Sequence, residues 1–555
     1  MSEAPPVERP RVLVADSIAA EGVAWLRRFA EVDERPGLNE GRLAEIVGGY
    51  DAVVVRSETR ITARLIEAGT RLRVIARAGV GVDNIDVEAA TRRGVVVVNS
   101  PTGNIVAAAE HTLALLMALA RHIPAASAAL RAGRWERPQY VGTEIRGKTL
   151  GIVGLGKVGI EVARRAGESG LEMRLIAADP YATAETARKL GVELLPLDEL
   201  LPQADFLSIH TSLTSATRGL FGAAELARMK PTARVINCAR GGVVDEAALL
   251  AALESGQLAG AALDVFTAEP PAPGSPAWAL IAHPRVVATP HLGASTEEAQ
   301  VNVALDVAEQ IAEVLRGGAA RAAVNAPMIL PETLRQLQPW MALVEKLGRL
   351  YTQLHPGPLH RAELDVAGEI AQYDTRPLTA ALIKGLLESV SEAHVNLVNA
   401  PILARDWGLE ITESRRTTHE QYANLVTLRV RDGESGSGVA GGGDGQLAAT
   451  ITWGEERVER VDRYATDFVP QGHILFCRNL DRPGMIGRVG VILGDAGVNI
   501  GHMDVGPVAG VPGARDRHAG GEALMILSVD EAIPERALEQ IRGTADISAM
   551  TSVLL

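Results

Sequence analysis

The sequence predicts an α/β protein: two α/β domains, then a mixed α+β region, then a small β-α-β-β-α-β module. Three observations carry this. From residue 11 to residue 291, short apolar runs alternate with helical patterns, as in parallel sheets covered by helices. One alternation, residues 147–180, carries three glycines at G-x-G-x-x-G spacing between a strand and a helix. From residue 471 the signals run strand, helix, strand, strand, helix, strand, the order of a ferredoxin-like sheet.

Length and composition set the bounds. At 555 residues the chain is too long for one domain, and about three or four are expected. A net charge of −13 with no basic block argues against nucleic acid or an anionic membrane as partner. The two cysteines, Cys238 and Cys477, lie far apart and begin no metal motif, so neither a metal site nor a disulfide framework is expected. The N-terminal MSEAPPVERP has no apolar core, unlike a signal peptide or an anchor. The most apolar segment, residues 105–119, is interrupted by Glu110 and His111. It is too short for a bilayer and reads as a buried helix. The cytoplasm is the expected compartment.

In the first domain RVLVAD, AVVVRS, RLRVIARAG and GVVVVNSP read as strands, with AAEGVAWLRRFA as a helix. Arg56 and Arg77 end two of the apolar runs, and strand ends line clefts in open α/β sheets. Gly79 and Gly81 could offer backbone N–H groups to an anion. Taken alone, these features fit two solvated arginines and a turn equally well. A helix over residues 104–121 leads into the second domain. The following RAGRWERPQY is either an exposed connector or a segment projecting from a neighbouring subunit.

Residues 147–180 form a βαβ unit. Thr149–Val153 reads as a buried strand, residues 173–178 as the next, and Val158, Val162 and Ala166 share one helix face. Gly154 permits the turn, Gly156 a close approach to pyrophosphate, and Gly159 close helix–strand packing. The helix N-terminus offers free N–H groups to phosphates. Asp179, at the second strand's end, suits two ribose hydroxyls and repels a 2′-phosphate, so NAD is favoured over NADP. Four later strands end in polar residues: DFLSIH at His210, ARVINCARGG at Arg240, AGAALDVF near Asp264 with Glu269 beyond, and RVVATPHLGAS at His291. That is the pattern of a cleft lined by strand C-termini. A histidine can take a hydroxyl proton as hydride leaves for a nicotinamide. Glu269 could hold the ring, and Arg240 could grip a carboxylate bidentately. An α-hydroxy acid is the implied substrate.

The helix over residues 296–315 is expected to cross back to the first domain. In the mixed region, TLRQLQPWMALVEKLGRLYTQL and PLTAALIKGLLESV read as helices. RAELDVAG, LEITES, ANLVTLRV and QLAATITW read as strands. RDGESGSGVAGGGDG reads as a mobile hairpin tip. The Gly/Pro-rich stretch 506–521 is likewise expected to be mobile.

The motifs AGVGVDNID, PTGNIVAAAEHT, GKTLGIVGLGKVG, HTSLTSATRGL, INCARGGVVDE, ALDVFTAEPP and TPHLGASTEEAQ resemble those of the D-isomer-specific 2-hydroxyacid dehydrogenases. VNAP…NAPILARDWGLEITES and NLDRPGMIGRVGVILGDAGVNI resemble the intervening and ACT domains of that family's long members. The resemblance implies a Rossmann-like NAD domain (104–291) inserted in a flavodoxin-like substrate domain (1–103 and 292–326). An α+β intervening domain (327–470) and a ferredoxin-like ACT domain (471–555) would follow. It implies Arg240, Glu269 and His291 as the catalytic set. For NAD it implies Gly154, Leu155, Gly156, Lys157, Val158, Gly159, Asp179, His210, Thr211, Thr214, Cys238, Ala239 and Asp264, with Arg240 and His291. For the substrate it implies Arg56, Ser57, Arg77, Gly81 and Asn104, with Arg56 and Arg77 facing a phosphate. Arg134 and Arg137 are a weaker pair acting across a dimer interface.

The implied reaction is NAD-dependent oxidation of 3-phospho-D-glycerate to 3-phosphooxypyruvate, the first step of L-serine biosynthesis. A side activity would reduce 2-oxoglutarate to 2-hydroxyglutarate. The family implies a homo-oligomer, dimer or tetramer, with L-serine as effector between two ACT domains at Asn479, Asp481 and Asn499. Asn479 stands where the family often has His or Tyr, and a plain dimerisation module is the other reading. The competing functions are a glyoxylate or hydroxypyruvate reductase and an NAD-sensing corepressor.

Overall fold

Val-rich runs with no polar alternation demand burial on both faces, and the first sheet supplies it. A computed structural model describes residues 9–318, 320–326, 331–391, 394–431, 445–508 and 521–555. In it β1 (Arg11–Val14), β2 (Glu31–Glu34), β3 (Ala52–Val55), β4 (Val74–Arg77) and β5 (Val96–Asn99) form a parallel sheet. Its order, β2-β1-β3-β4-β5, is flavodoxin-like. β2, sequence EVDE, is an edge strand that sequence reading missed. An edge strand half in solvent needs no apolar run, so it left no signal. The Glu297–Leu315 helix, capped by Thr296, crosses back and packs on β4, β5 and the Ala20–Leu26 helix. Arg73 binds its last carbonyls, at Val314 and Leu315.

The second sheet is also parallel: β6 (Thr149–Val153), β7 (Arg174–Ala178), β8 (Val192–Leu194), β9 (Phe206–Ile209), β10 (Arg234–Asn237), β11 (Gly260–Leu263) and β12 (Val286–Ala288). Its order is β12-β11-β10-β9-β6-β7-β8, with the direction of winding reversing between β6 and β9. Ligands bind at such a switch point. The Ile105–Ala120 helix buries Leu115, Leu116 and Leu119 against Leu150 and Ile152. Among the described residues no single helix is long and apolar enough to cross a membrane. β10 stops at Asn237, short of the expected Arg240. Asn237 accepts from the Ala239 N–H and donates to the Arg240 carbonyl, and these local bonds turn the chain out of the sheet.

The third sheet holds β13 (Arg361–Gly368), β14 (Glu410–Arg416), β15 (Asn424–Arg431), β16 (Gly445–Thr452), β17 (Glu455–Val461) and β18 (Tyr464–Phe468) in the order β14-β13-β15-β16-β17-β18. β17 and β18 were not foreseen; charged residues occupy most of β17. The fourth sheet holds β19 (His473–Leu480), β20 (Ile500–Pro507), β21 (Glu522–Val529) and β22 (Ile547–Leu554), in the ferredoxin-like order β20-β21-β19-β22. Alternation along β19 splits its side chains between two cores. Ile474 and Phe476 join the core beneath the third sheet, while Leu475 and Cys477 pack under the Met485–Asp495 helix. The expected hairpin tip between β15 and β16 and most of the 506–521 stretch lie outside the described residues.

Candidate active site

The glycine loop joins β6 to the Lys157–Ala166 helix. Gly154 has φ +94°, a conformation that L side chains rarely adopt. A Cβ on Gly159 would lie 2.1 Å from the Gly154 carbonyl oxygen, whereas one on Gly156 would meet open space. Thus Gly159 packs helix on strand, and the backbone at Gly156 can be approached. Gly156 caps the helix without a side-chain bond, which leaves the first N–H groups, at Lys157 and Val158, without a side-chain acceptor. The Asp179 carboxylate accepts from the Leu155 N–H at 2.7 Å and the Tyr181 N–H at 2.7 Å. It therefore fastens the crest of the loop to the end of β7.

Beyond β9, burial pushes the His210 imidazole down to about 4, so it is neutral at physiological pH. Its Nε2 pairs with Ser208 Oγ at 2.8 Å. The neighbouring Thr211 hydroxyl is buried without a partner. Thr214 is spent on a turn with Thr217. After β10 the Cys238 thiol is pushed up to about 12 by burial and Ala239 is fixed by Asn237. A buried hydroxyl lacking a partner, an uncapped helix start and an unobstructed Gly156 together fit a dinucleotide.

His291 follows β12 and Glu269 follows β11. The His291 ring Nδ1 lies 2.7 Å from Glu269 Oε2, and Glu269 Oε1 accepts from the Phe266 N–H at 3.0 Å. Burial acts to raise the Glu269 pKa, but the bonds from His291 and Phe266 outweigh it and hold the carboxyl below its ordinary range. His291 itself has φ +57°.

The first sheet meets this centre through cations. Arg77, at the end of β4, has its pKa lowered to about 10, first by burial and then by the nearby charges of Arg240 and Arg56. Three guanidinium groups, one just after β3, one at the end of β4 and one in the loop after β10, thus lie within electrostatic reach of one another. The Arg240 Nη1 donates to the Ala239 carbonyl at 2.7 Å, and its Nε lies 3.5 Å from Asp83 Oδ2. A Cβ on Gly81 would sit 2.4 Å from Arg240 Nη2, so the loop after β4 lies directly against that guanidinium. Ser57 is exposed, and Asn104 opens the Ile105–Ala120 helix with no side-chain cap bond.

Sequence reasoning missed the residues that hold these groups. Asp16, fully buried after β1, accepts from the Arg56 N–H at 2.6 Å and from Thr59. Asn84 accepts from Arg77 Nε at 3.2 Å and donates to the carbonyls of Arg56 and Thr59. Asp16 had the signal of a carboxylate ending an apolar run; Asn84 had none. Asp264, expected to line the cofactor, is wholly buried and binds the loop that carries His291.

The three effector positions divide. Asn479 is buried, with its Nδ2 on the Leu480 carbonyl at 3.0 Å and its Oδ1 without a partner. The Asp481 N–H donates to the Gly521 carbonyl. Asn499, paired with Asp530 at 2.7 Å, precedes Ile500. Through β21, Ile500 lies level with His473, whereas Asn479 lies level with Pro507. Asn499 lies one position beyond Ile500, so seven strand positions, about 23 Å, separate the two asparagines, and one chain does not bring them together.

Comparison with known proteins agrees with this architecture. Residues 113–293 match the D-isomer specific 2-hydroxyacid dehydrogenase NAD binding domain. Residues 336–446 match the D-3-phosphoglycerate dehydrogenase intervening domain, and 473–546 the ACT domain. The chain is 45% identical over 546 residues to D-3-phosphoglycerate dehydrogenase of Synechocystis sp., covering 98% of this chain and 95% of that protein. It is 41% identical to the Methanocaldococcus jannaschii enzyme of that name, covering 98% and 100%. Among solved structures, a glyoxylate reductase from Paecilomyes thermophila (TM-score 0.52, 32% identity) covers 57% of this chain and 99% of its own. D-lactate dehydrogenase from Escherichia coli (TM-score 0.51, 26% identity) covers the same shares. The chain belongs to the D-3-phosphoglycerate dehydrogenases, the long members of the D-isomer-specific 2-hydroxyacid dehydrogenase family.

Proposed function

We propose that this NAD-dependent oxidoreductase oxidises 3-phospho-D-glycerate to 3-phosphooxypyruvate, the first step of L-serine biosynthesis. The observation that carries the reading is the His291–Glu269 pair, beside a cation cluster at the mouth of a dinucleotide fold. Glu269, held ionised, accepts a hydrogen bond from the Nδ1–H of His291 and so keeps that proton on Nδ1. Nε2 is then left bare to take the proton of the substrate hydroxyl. NAD, held by the glycine loop and Asp179, supplies the acceptor for the hydride. Arg240 grips the substrate carboxylate and draws charge toward the carbonyl oxygen that forms. Arg77 and Arg56 hold the phosphate, whose two negative charges offset the repulsion among the three guanidinium groups.

The domains divide at residues 103, 291, 326 and 470. Val106, Met117, Ile123, Leu130, Trp135 and Val141 are exposed apolar side chains along the Ile105–Ala120 helix and the segment after it. They form the contact of a homodimer, which brings Arg134 and Arg137 toward the partner's cleft. Serine binds between two ACT domains, one copy giving Asn479 and Asp481 and the other Asn499. The enzyme works in the cytoplasm.

The test is a panel of phosphorylated and unphosphorylated 2-hydroxy acids with NAD, repeated with added serine and run in reverse with 2-oxoglutarate. The proposal expects 3-phosphoglycerate to lead the panel. Equal turnover of glycerate, or preferred reduction of glyoxylate, would overturn it.

A further inference from the structure

Beside the His291–Glu269 pair stands a second imidazole–carboxylate pair that the reaction as written does not use. His111 lies two turns along the Ile105–Ala120 helix, the helix that begins at Asn104. Its Nε2 is 3.2 Å from Asp264 Oδ1 and 3.1 Å from Thr289 Oγ1. The Asp264 carboxylate has no exposed surface. Oδ1 also accepts from the Thr289 hydroxyl at 2.6 Å and the Leu292 N–H at 2.7 Å, and Oδ2 from the Gly293 N–H at 2.8 Å. The Asp264 carbonyl accepts the His291 N–H at 2.8 Å. One aspartate thus holds three consecutive N–H groups, His291 to Gly293, and the loop so held keeps His291 at φ +57°. A non-glycine residue stays in that region only where its surroundings impose it.

The proton on His111 follows from its partners. Asp264 is ionised and has nothing to donate; burial acts to raise its pKa, but the bonds from His111, Thr289 and Leu292 outweigh it. Thr289 has one hydroxyl proton, already committed to Asp264. A bare Nε2 would face two oxygens with no proton between them, so Nε2 carries the hydrogen and shares it between both.

We infer that His111 is a positioning residue for the reaction: its Nε2–H completes the bonding of Asp264 and Thr289, and that network holds the 289–293 loop in the turn that brings His291 to Glu269. No water reaches Asp264 to replace a lost donor. Because His111 rides on the helix that starts at Asn104, the network also ties the substrate-side end of that helix to the catalytic loop.

The inference rests on the function proposed above for its kinetic readout, so wild-type turnover of 3-phosphoglycerate is measured first; failure there counts against that function. His111→Leu, His111→Gln and Thr289→Val are then compared in the full chain. Loss of the donor should lower kcat roughly 10- to 100-fold in His111→Leu, with KM and the NAD dissociation constant within about threefold of wild type. Glutamine can place an amide N–H near the Nε2 position and should recover all but about fivefold. Thr289→Val should reproduce the leucine phenotype, and serves where His111→Leu does not fold. Amide hydrogen exchange over residues 289–293 should quicken at least about tenfold in the leucine and valine variants, whatever the substrate. Unchanged kcat and exchange in His111→Leu, a glutamine variant no better than leucine, or a loss of NAD affinity in proportion to kcat would overturn the inference.

Discussion

Replacing Glu269 with glutamine tests the catalytic geometry directly, because both carboxylate oxygens are committed as acceptors. Oε2 takes the His291 Nδ1–H at 2.7 Å, and Oε1 takes the Phe266 N–H at 3.0 Å. An amide has one acceptor oxygen and one donor nitrogen, so it cannot satisfy both. If its oxygen stays on the rigid Phe266 N–H, its NH2 faces Nδ1 and selects the tautomer with the proton on Nε2. That tautomer cannot accept the substrate proton. Loss of the charge-assisted bond alone removes about 1.5–3 kcal/mol, or about 10- to 150-fold in kcat. Tautomer reversal adds to this; the same change in a serine-protease triad costs about 10⁴-fold. Glu269→Gln should therefore lose between about 10² and 10⁴ in kcat, with NAD affinity unchanged. Steady-state kinetics and calorimetric NAD titration would show the split. A variant within about threefold of wild-type kcat would refute the assignment of Nε2 as the base and Glu269 as its orienting partner.

Four further outcomes are expected. Arg77→Ala should raise KM for 3-phosphoglycerate about 10- to 100-fold while leaving KM for NAD unchanged; because it removes a half-buried cation repelled by Arg240, its melting temperature should not fall. Gly159→Ala places a Cβ 2.1 Å from the Gly154 oxygen, so unfolding titration should show a loss of about 1–3 kcal/mol alongside weakened NAD binding. His210 titrates ordinarily near 6.5 but near 4 when folded. The unfolded chain therefore takes up its proton first, and this residue's contribution to stability is lost as pH falls from about 6.5 toward 4. Urea midpoints at pH 7.5 and 5 should differ less in His210→Asn than in wild type. Asn479→Ala should abolish serine inhibition without changing kcat in its absence, measured by initial rates over a serine titration.

The sequence alone determined whatever depends on a residue and its near neighbours. Valine runs, the three glycines and Asp179 announce their strand, turn and helix because periodicity and backbone freedom are local properties. The Thr149–Val153 strand and the Ile105–Ala120 helix accordingly appear where those patterns place them. β2 and β17 left no such mark because most of their residues are charged, and β18 is only five residues long, with its buried Tyr464 and Phe468 too few to announce a strand. Only the tertiary structure decided which strand ends share a cleft. It brought Arg77 within electrostatic reach of Arg240 and held the Arg56 backbone with Asp16. It also placed His111 on Asp264, 153 residues away. Those meetings depend on how separate elements pack, and a buried carboxylate selects its donors by proximity in space, which residue order does not encode.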